Sequence, residues 1–156
     1  MNPNRTGRTV GELLGPRRGM VFSAAPGDTA LDALRLMAER DVGALVVLQG
    51  GALVGIVSER DCARKLELRG RLARDTPVRE LMQTRVLYVA PGHTVGQCMV
   101  LMRRERIRHL PVVEGERVVG VISIRTLLED AVDSDDRLIA GLSADRMRMT
   151  TNTGSY

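Results

Sequence analysis

The strongest constraint on this chain is an internal duplication. Residues 20–61 recur as residues 85–126 at a constant offset of 65 residues, without a gap, and 14 of the aligned positions are identical. Self-similarity at one fixed period indicates a supersecondary unit that is used twice. A unit of about 60 residues buries only a marginal core by itself. We therefore expect the two copies to pair and to bury a shared apolar face.

Hydrophobic periodicity predicts the same elements in each copy. In chain order the first copy contains a strand over 20–24, a helix with Leu31, Leu34 and Met37 on one face, strands over 44–48 and 53–57, and a helix from Ser58 toward Leu72. A short helix over 10–14 precedes this copy, and residues 78–82 echo it before the second copy. The predicted fold class is α/β (α+β), with two β-α-β-β-α repeats packed as a pseudo-two-fold pair.

The predicted boundaries follow from this pattern. They are a first repeat with its leading helix over 9–72, a linker over 73–77, a second repeat over 78–132, a helical extension over 133–149 and a disordered tail over 150–156.

Composition excludes several classes of protein. The chain is 44% hydrophobic and 27% charged, as in soluble globular domains, but only 2% aromatic, so the core must consist of aliphatic side chains. It has no run of 18 apolar residues and no apolar N-terminal stretch, which predicts neither a membrane span nor a signal peptide. Two cysteines make no disulfide framework, and the predicted location is cytoplasmic.

The segment Gly55–Asp61 has the pattern of a buried strand that passes into a helix at a Ser N-cap, with an acid three residues later. Amides and the positive end of a helix dipole at such a junction suit an anion. The same spacing also fits a capping box, in which Ser58 and Asp61 satisfy one another. The copy at Gly120–Thr126 keeps the Ser but has no acid. Taken alone the pattern favours the capping box, although the copy shows that such a helix can start without the acid.

Catalytic and metal-binding patterns are weak. The potential nitrogen and sulfur ligands are Cys62, Cys98, His93 and His109. No two of them have the C-x-x-C or H-x-x-x-H spacing of zinc sites, so no metal is predicted. The residue types of a catalytic triad are present in Ser58, His109 and Asp61. The resemblance is one of composition only, and no catalysis is predicted. Cys62 is either a redox-sensitive thiol or, as we favour, a small buried side chain.

Nucleic-acid binding is an alternative function. The chain has a net charge of +4, and the segment 60–79 is rich in arginine. However, that segment has no aromatic residue on which bases could stack, and basic and acidic residues are interleaved along the chain.

Three motifs together resemble tandem cystathionine-β-synthase-type (CBS) domains. Gly-hydrophobic-x-Ser occurs after the third predicted strand of both repeats, Pro-Gly-x-Thr precedes the first helix of both, and the third motif is Ile107–Val113. The resemblance covers about residues 9–132. It implies a stand-alone CBS pair (a Bateman module), which is a regulatory sensor of adenosyl ligands with no catalytic activity of its own. A ligand-free dimeric interaction module remains the other alternative.

The resemblance implies a first cleft that combines the Ser-x-x-Asp motif with the second repeat. There Ser58 would meet phosphate, Asp61 would accept hydrogen bonds from the ribose hydroxyls, and Arg108 or His109 would reach phosphate. Apolar members would enclose adenine, although they fit a core equally well. The predicted nucleotide-binding residues are Ile56, Ser58, Arg60, Asp61, Leu87, Ile107, Arg108 and His109.

A second cleft is implied by the pseudo-symmetry. Its predicted residues are Phe22, Val42, Gly43, Ala44, Val121, Ser123 and Thr126. Thr126 replaces the acid, and Gly43-Ala44 replaces the Arg-His pair, so this site is expected to be weaker, empty or differently used.

The resemblance also implies the ligand and the assembly. AMP is the first expectation, and ADP, ATP, NAD(H) and S-adenosylmethionine carry the same adenosine. A homodimer through the CBS helices is expected, with surfaces at Leu31–Met37 and Cys98–Met102. A downstream protein target of unidentified nature would read the state of the dimer, and neither a membrane nor nucleic acid is an expected partner.

Overall fold

The computed structural model describes residues 7–142, with side chains described through residue 133. The helices and strands in chain order are α1 (Val10–Leu14), β1 (Ser23–Ala24), α2 (Ala30–Arg40), β2 (Ala44–Gln49), β3 (Ala52–Ser58), α3 (Glu59–Glu67), α4 (Val95–Glu105), β4 (His109–Glu114), β5 (Arg117–Ser123) and α5 (Ile124–Leu142). Short 3-10 turns occupy Gly15–Arg17, Ala73–Asp75 and Val78–Glu80. The α/β class and the two repeats are confirmed.

The first repeat is built on a three-stranded sheet. Strand β2 lies between β1, which is parallel to it, and β3, which is antiparallel. The hairpin from β2 to β3 turns at Gly50 and Gly51, whose φ angles are 57° and 81°. Two successive positive φ angles are the requirement of a type I′ turn, which glycine meets without a steric cost. The predicted hairpin is therefore present, whereas the strand predicted over 20–24 is reduced to its last two residues.

The second repeat keeps the hairpin and loses most of the first strand. Strands β4 and β5 pair antiparallel with the register of the first hairpin. In place of the strand equivalent to β1, Val89 makes an isolated parallel bridge with Val112. The repeat unit is thus β-α-β-β-α in the first copy, with the leading strand reduced to one bridge in the second.

Each repeat has its own aliphatic core, but the segments that lead into the repeats are exchanged. Val10 and Leu14 of α1 are buried in the core of the second repeat. Val78 and Leu81, which precede the second repeat, are buried in the core of the first. Along the chain α1 belongs to residues 9–72, but in space it completes the second repeat. The exchange ties the two repeats into one folded unit.

Backbone hydrogen bonds follow the same exchange. The Val10 amide donates to His93 O at 2.8 Å, and the Val78 amide donates to Asp28 O at the same distance. His93 and Asp28 occupy equivalent positions in the two repeats, 65 residues apart. The leading segments are therefore docked in the same way on opposite repeats.

Gly55 and Gly120 are explained by this docking. Both lie inside strands, and a Cβ on Gly120 would approach Leu14 Cδ1 to 2.7 Å. A Cβ on Gly55 would approach Met82 Sδ to 2.7 Å and Gln83 O to 3.0 Å. Such distances are shorter than van der Waals contact, so only glycine admits the leading segments. These glycines serve inter-repeat packing and do not mark a strand end.

Two predicted helix limits are wrong. Helix α3 ends at Glu67 and not near 72, because Gly70 adopts a φ of 60° and the Arg71 amide turns back to Leu66 O at 2.9 Å. Helix α5 runs from Ile124 to Leu142 without a break, so no separate extension begins at 133. The predicted tail over 150–156 and the end of that extension, over 143–149, lie outside the described residues.

Parts of the predicted dimer surfaces are wrong as well. Met37, Cys98 and Met102 are buried in the two cores, because the apolar face of each amphipathic helix turns toward its own sheet. The exposed apolar side chain on α4 is Val100. Within residues 7–142 no helix has both the length and the apolar character needed to cross a membrane.

Candidate ligand clefts

The larger cavity between the repeats lies at the second predicted cleft. It has a volume of about 730 Å³, and residues of both repeats line it. All seven predicted residues are among them, namely Phe22, Val42, Gly43, Ala44, Val121, Ser123 and Thr126. The structure thus brings this set together. It also places the roomier cavity where the sequence predicted the weaker site.

Two walls form this cavity. One wall is the chain that enters β1 and β2, where the Arg40 guanidinium lies 5.1 Å from the centroid of the Phe22 ring. The other wall is the end of β5 and the first turn of α5, which carries the predicted polar residues. A cation over an aromatic face is favourable by about 0.5–1 kcal/mol at an exposed site. This contact therefore helps to hold Phe22 at the rim.

The charges of this cavity differ from the expectation. Arg108, assigned to the first cleft, also lines this one, together with Arg17, Arg40 and Arg125. Replacement of the Arg-His pair by Gly43-Ala44 therefore leaves the cavity with basic groups from other elements. Three acids line it as well, and Glu129 is paired with Arg125 at 3.1 Å. The sequence analysis did not predict Arg17 as a lining residue. Arg17 follows α1, which packs on the second repeat, and no local sequence pattern indicates that packing.

Ser123 and Thr126 cap α5 without an acid. The Thr126 amide donates to Ser123 Oγ at 3.2 Å, and the two hydroxyl oxygens lie 3.0 Å apart. The Ile124 amide donates to Arg108 O at 2.8 Å. The Ile124 and Thr126 amides are therefore satisfied internally, and the two hydroxyls line the cavity together with the side chain of Arg125.

The first predicted cleft is shallower and only partly assembled. Arg60, Ile107 and Arg108 line a depression of about 550 Å³. His109 lines the larger cavity instead, and Leu87 packs against the second core. The remaining three residues, Ile56, Ser58 and Asp61, belong to the end of β3 and the first turn of α3 and do not line the depression.

Asp61 forms the capping box. Its Oδ2 accepts from the Ser58 amide at 3.2 Å and from Ser58 Oγ at 2.9 Å, while Oδ1 accepts from Gln83 Nε2 at 3.1 Å. Gln83 was missed by sequence reasoning because it lies just before the duplicated residues 85–126 and has no counterpart in the aligned first copy. Its backbone pairs with Ile56 at the edge of β3. A ribose diol would therefore have to displace the exposed Gln83 amide from Oδ1.

Two of the helix-start amides of α3 are also occupied. The Glu59 amide donates to Gly43 O at 3.0 Å, and the Asp61 amide donates to Ser58 Oγ at 3.1 Å. Because these two donors are already bonded, an anion near this helix would need side chains in addition to the remaining amides for its contacts. The nearby arginines are the side chains suited to that role.

His109 is held between the repeats in its neutral form. A Cβ on Gly43 would lie 3.3 Å from His109 Nε2, so the imidazole rests on the glycine of the other repeat. Burial lowers the pKa of His109 below its usual value, and the Arg108 cation lowers it further, while Asp61 acts in the opposite direction. The imidazole is therefore neutral at neutral pH.

The lowered pKa of His109 predicts a pH-dependent stability. Below pH 6.5, the usual value of the imidazole pKa, the unfolded chain binds a proton that the folded chain resists, so stability falls as the pH decreases. Melting temperatures between about pH 7.5 and 5.5 should fall less in His109→Gln than in the unsubstituted chain. His93→Gln, which removes an exposed imidazole, is the matched control. Equal slopes for the His109→Gln variant and the unsubstituted chain would contradict this role.

The other reactive groups lack an activating environment. Burial raises the pKa of Cys62 to about 11, with Asp61 and Glu59 adding to the effect, and burial raises the pKa of Cys98 to about 11. Both thiols therefore stay protonated and weakly nucleophilic. Ser58 Oγ donates directly to Asp61, so no imidazole stands between them as a triad requires. In the described part of the chain, no group of three His, Cys, Asp or Glu side chains is arranged to hold a metal ion.

Several basic side chains of the segment 60–79 are bonded to other groups of the folded chain. Lys65 Nζ donates to Leu81 O at 2.7 Å, and Arg71 is paired with Glu80. Arg74 Nε lies 3.6 Å from Asp75 Oδ2. These pairings take three basic side chains away from a continuous surface for nucleic acid.

Comparison with known proteins decides the family. Residues 10–68 and 78–133 each match the CBS domain. The chain belongs to the CBS-domain family. Its two repeats are a tandem CBS pair, and such pairs are in general regulatory, ligand-binding modules.

Individual relatives agree with this assignment. The chain is 36% identical over 122 residues to the mitochondrial CBS domain-containing protein CBSX3 of Arabidopsis thaliana. The aligned region covers 75% of this chain and 59% of that protein. It is 30% identical over 115 residues to the CBS domain-containing protein YhcV of Bacillus subtilis, covering 74% of this chain and 81% of that one. A solved protein with CBS domains from Burkholderia ambifaria superposes with a TM-score of 0.77 at 39% identity, covering 80% and 94% of the two chains.

Proposed function

We propose that this CBS pair is a regulatory sensor that binds an adenosine nucleotide between its two repeats and has no catalytic activity of its own. The observation that carries the proposal is that both clefts are lined by residues of both repeats. A ligand in either cleft contacts both repeats at once and favours one arrangement of them. The cavity of about 730 Å³ lies within the range of small-molecule sites.

The chemical groups suited to recognise a nucleotide are distributed over the two clefts. The larger cleft offers room, an aromatic ring at Phe22 and the hydroxyls of Ser123 and Thr126. The smaller cleft is lined by four arginines, and Asp61 directly follows one of them, Arg60, in the chain. A carboxylate only accepts hydrogen bonds and can therefore read a ribose diol with its two oxygens. In this proposal the diol replaces Gln83 at Asp61 Oδ1.

The signal is a shift of populations in a homodimer. Leu128 and Val132 on α5 are exposed apolar side chains, and they are the surface proposed for the partner copy. A ligand that closes a cleft favours one dimer arrangement, which a downstream protein reads. The shift cannot exceed the difference between the ligand's affinities for the two arrangements.

Isothermal titration of the full chain with AMP, ADP and ATP tests the proposal, and light scattering on the same samples should give the mass of a dimer. Asp61→Asn should weaken binding about tenfold or more, since a hydrogen bond to a charged group contributes about 1.5–3 kcal/mol. Thr126→Asp should strengthen binding at the larger cleft, because it restores an acceptor-only group there.

Asp32→Asn is the matched control, because Asp32 is also the third residue of a capped helix and lies in neither cleft. If none of the three nucleotides binds, the proposed function is wrong. If Asp61→Asn binds as tightly as the unsubstituted chain, nucleotide binding stands but Asp61 does not read the ribose.

A further inference from the structure

The smaller cleft carries an unusual concentration of positive charge. Four arginines line it, and they are Arg60, Arg103, Arg106 and Arg108. The rest of the lining is apolar and consists of Met99, Val100, Met102, Ile107 and Ile124. No acidic side chain among the described residues lines this depression. The surface thus combines a cationic rim with an apolar floor.

Among the residues whose side chains are described, none pairs with any of these four guanidinium groups. No side-chain hydrogen bond or ion pair joins any of them to another residue in the described part of the chain. Neighbouring arginines behave differently, since Arg104 pairs with Glu105 at 2.8 Å and Arg125 pairs with Glu129 at 3.1 Å. Four like charges at one depression repel one another, and an anion bound there would relieve that repulsion.

The pseudo-symmetry shows that most of these arginines have no basic counterpart in the other copy. The residues equivalent to the four arginines, 65 positions away, are Arg125, Ala38, Asp41 and Gly43. Three of the four positions are therefore basic in only one copy. A general preference of the chain for arginine would act on both copies alike, so it does not explain the difference. The two clefts have diverged in charge from a common plan.

Arg106 shows the divergence at one backbone position. It ends α4 in the left-handed region with a φ of 56°, and its equivalent, Asp41, ends α2 with a φ of 51°. This conformation costs a residue with a Cβ about 1 kcal/mol, and glycine usually occupies it. Each repeat instead places a charged side chain there, an acid at the larger cleft and a base at the smaller one.

We propose that the smaller cleft selects a nucleoside polyphosphate, such as a nucleoside triphosphate, over a monophosphate. This inference rests on the proposed function and specifies the ligand class of one of its clefts. A phosphate monoester carries about two negative charges at neutral pH, and each further phosphoryl group adds about one. Four unpaired guanidinium groups match a triphosphate and exceed what a monophosphate neutralises. The apolar floor receives the base.

Isothermal titration of the full chain with ATP, AMP and inorganic tripolyphosphate tests the inference. ATP is expected to bind about tenfold or more tightly than AMP, and the preference should shrink as the salt concentration rises. The double variant Arg103→Gln with Arg106→Gln should weaken ATP about 10- to 30-fold and AMP less than about threefold, because these two side chains serve the added phosphates. Arg104→Gln, one position away on the same helix and already paired, should change neither affinity.

Four outcomes would overturn the inference. Equal affinities for ATP and AMP, or full ATP affinity in the double variant with an unchanged melting temperature, would remove the polyphosphate preference while leaving nucleotide sensing intact. Tripolyphosphate binding as tightly as ATP would show that the nucleoside is not recognised in this cleft. If tripolyphosphate binds and neither nucleotide does, the proposed function fails as well.

Discussion

Replacing Leu14 by alanine is expected to lower the free energy of unfolding by about 2–5 kcal/mol, the usual cost of emptying a leucine site in a core. Leu14 is 8% exposed and is buried with Leu110 and Ile122 in the core of the second repeat. The damage should therefore fall on the second repeat, although Leu14 precedes the first repeat in the chain. Chemical denaturation measures the size of the loss, and hydrogen exchange of the β4 and β5 amides locates it.

Leu68→Ala is the control for this experiment. Leu68 is 85% exposed, so its truncation should change the free energy of unfolding by no more than about 0.5 kcal/mol. Faster exchange confined to β2 and β3 in Leu14→Ala would show that the leading segments are not exchanged between the repeats.

Gly120→Ala is expected to cost about 1–3 kcal/mol because the added methyl group overpacks a filled site. Its Cβ would lie 2.7 Å from both Cδ1 and Cδ2 of Leu14. Leu14 is buried and has little room to move away. In a Leu14→Ala background the same methyl group enters the space left by the leucine, so Gly120→Ala should cost much less there. A double-mutant cycle measured by denaturation should give a coupling of about 0.5–3 kcal/mol.

Gly27→Ala provides the matched comparison. A Cβ on Gly27 meets no atom within 4 Å, and its backbone does not have a positive φ. That substitution should be close to neutral or slightly stabilising, since alanine restricts the unfolded chain. Additive costs for Gly120→Ala and Leu14→Ala would mean that the two side chains do not share one site.

The resemblance to CBS pairs predicted the lining of the larger cleft, but the lining of the smaller cleft and the relative size and charge of the two clefts could not be predicted. The second predicted set, from Phe22 to Thr126, lines one cavity, because strands at a constant offset bring equivalent residues to equivalent places. The first set is divided, with Arg60, Ile107 and Arg108 at one depression and His109 at the other. The bonds of Asp61 to Gln83 and of Glu59 to Gly43 depend on how segments distant in the chain dock.

The sequence by itself determined the repeats, the hairpins with their glycine turns and the helix starts, because these depend on local periodicity and on side chains a few residues apart. Only the tertiary structure decided that α1 completes the second repeat and that the segment at Val78 completes the first. It also decided that Gly55 and Gly120 make room for those segments. Contacts between segments that lie far apart in the chain leave no local pattern, since each side chain needs only to be apolar and of suitable size. For the same reason, the unpaired arginines of the smaller cleft could be recognised only once the fold had placed them together.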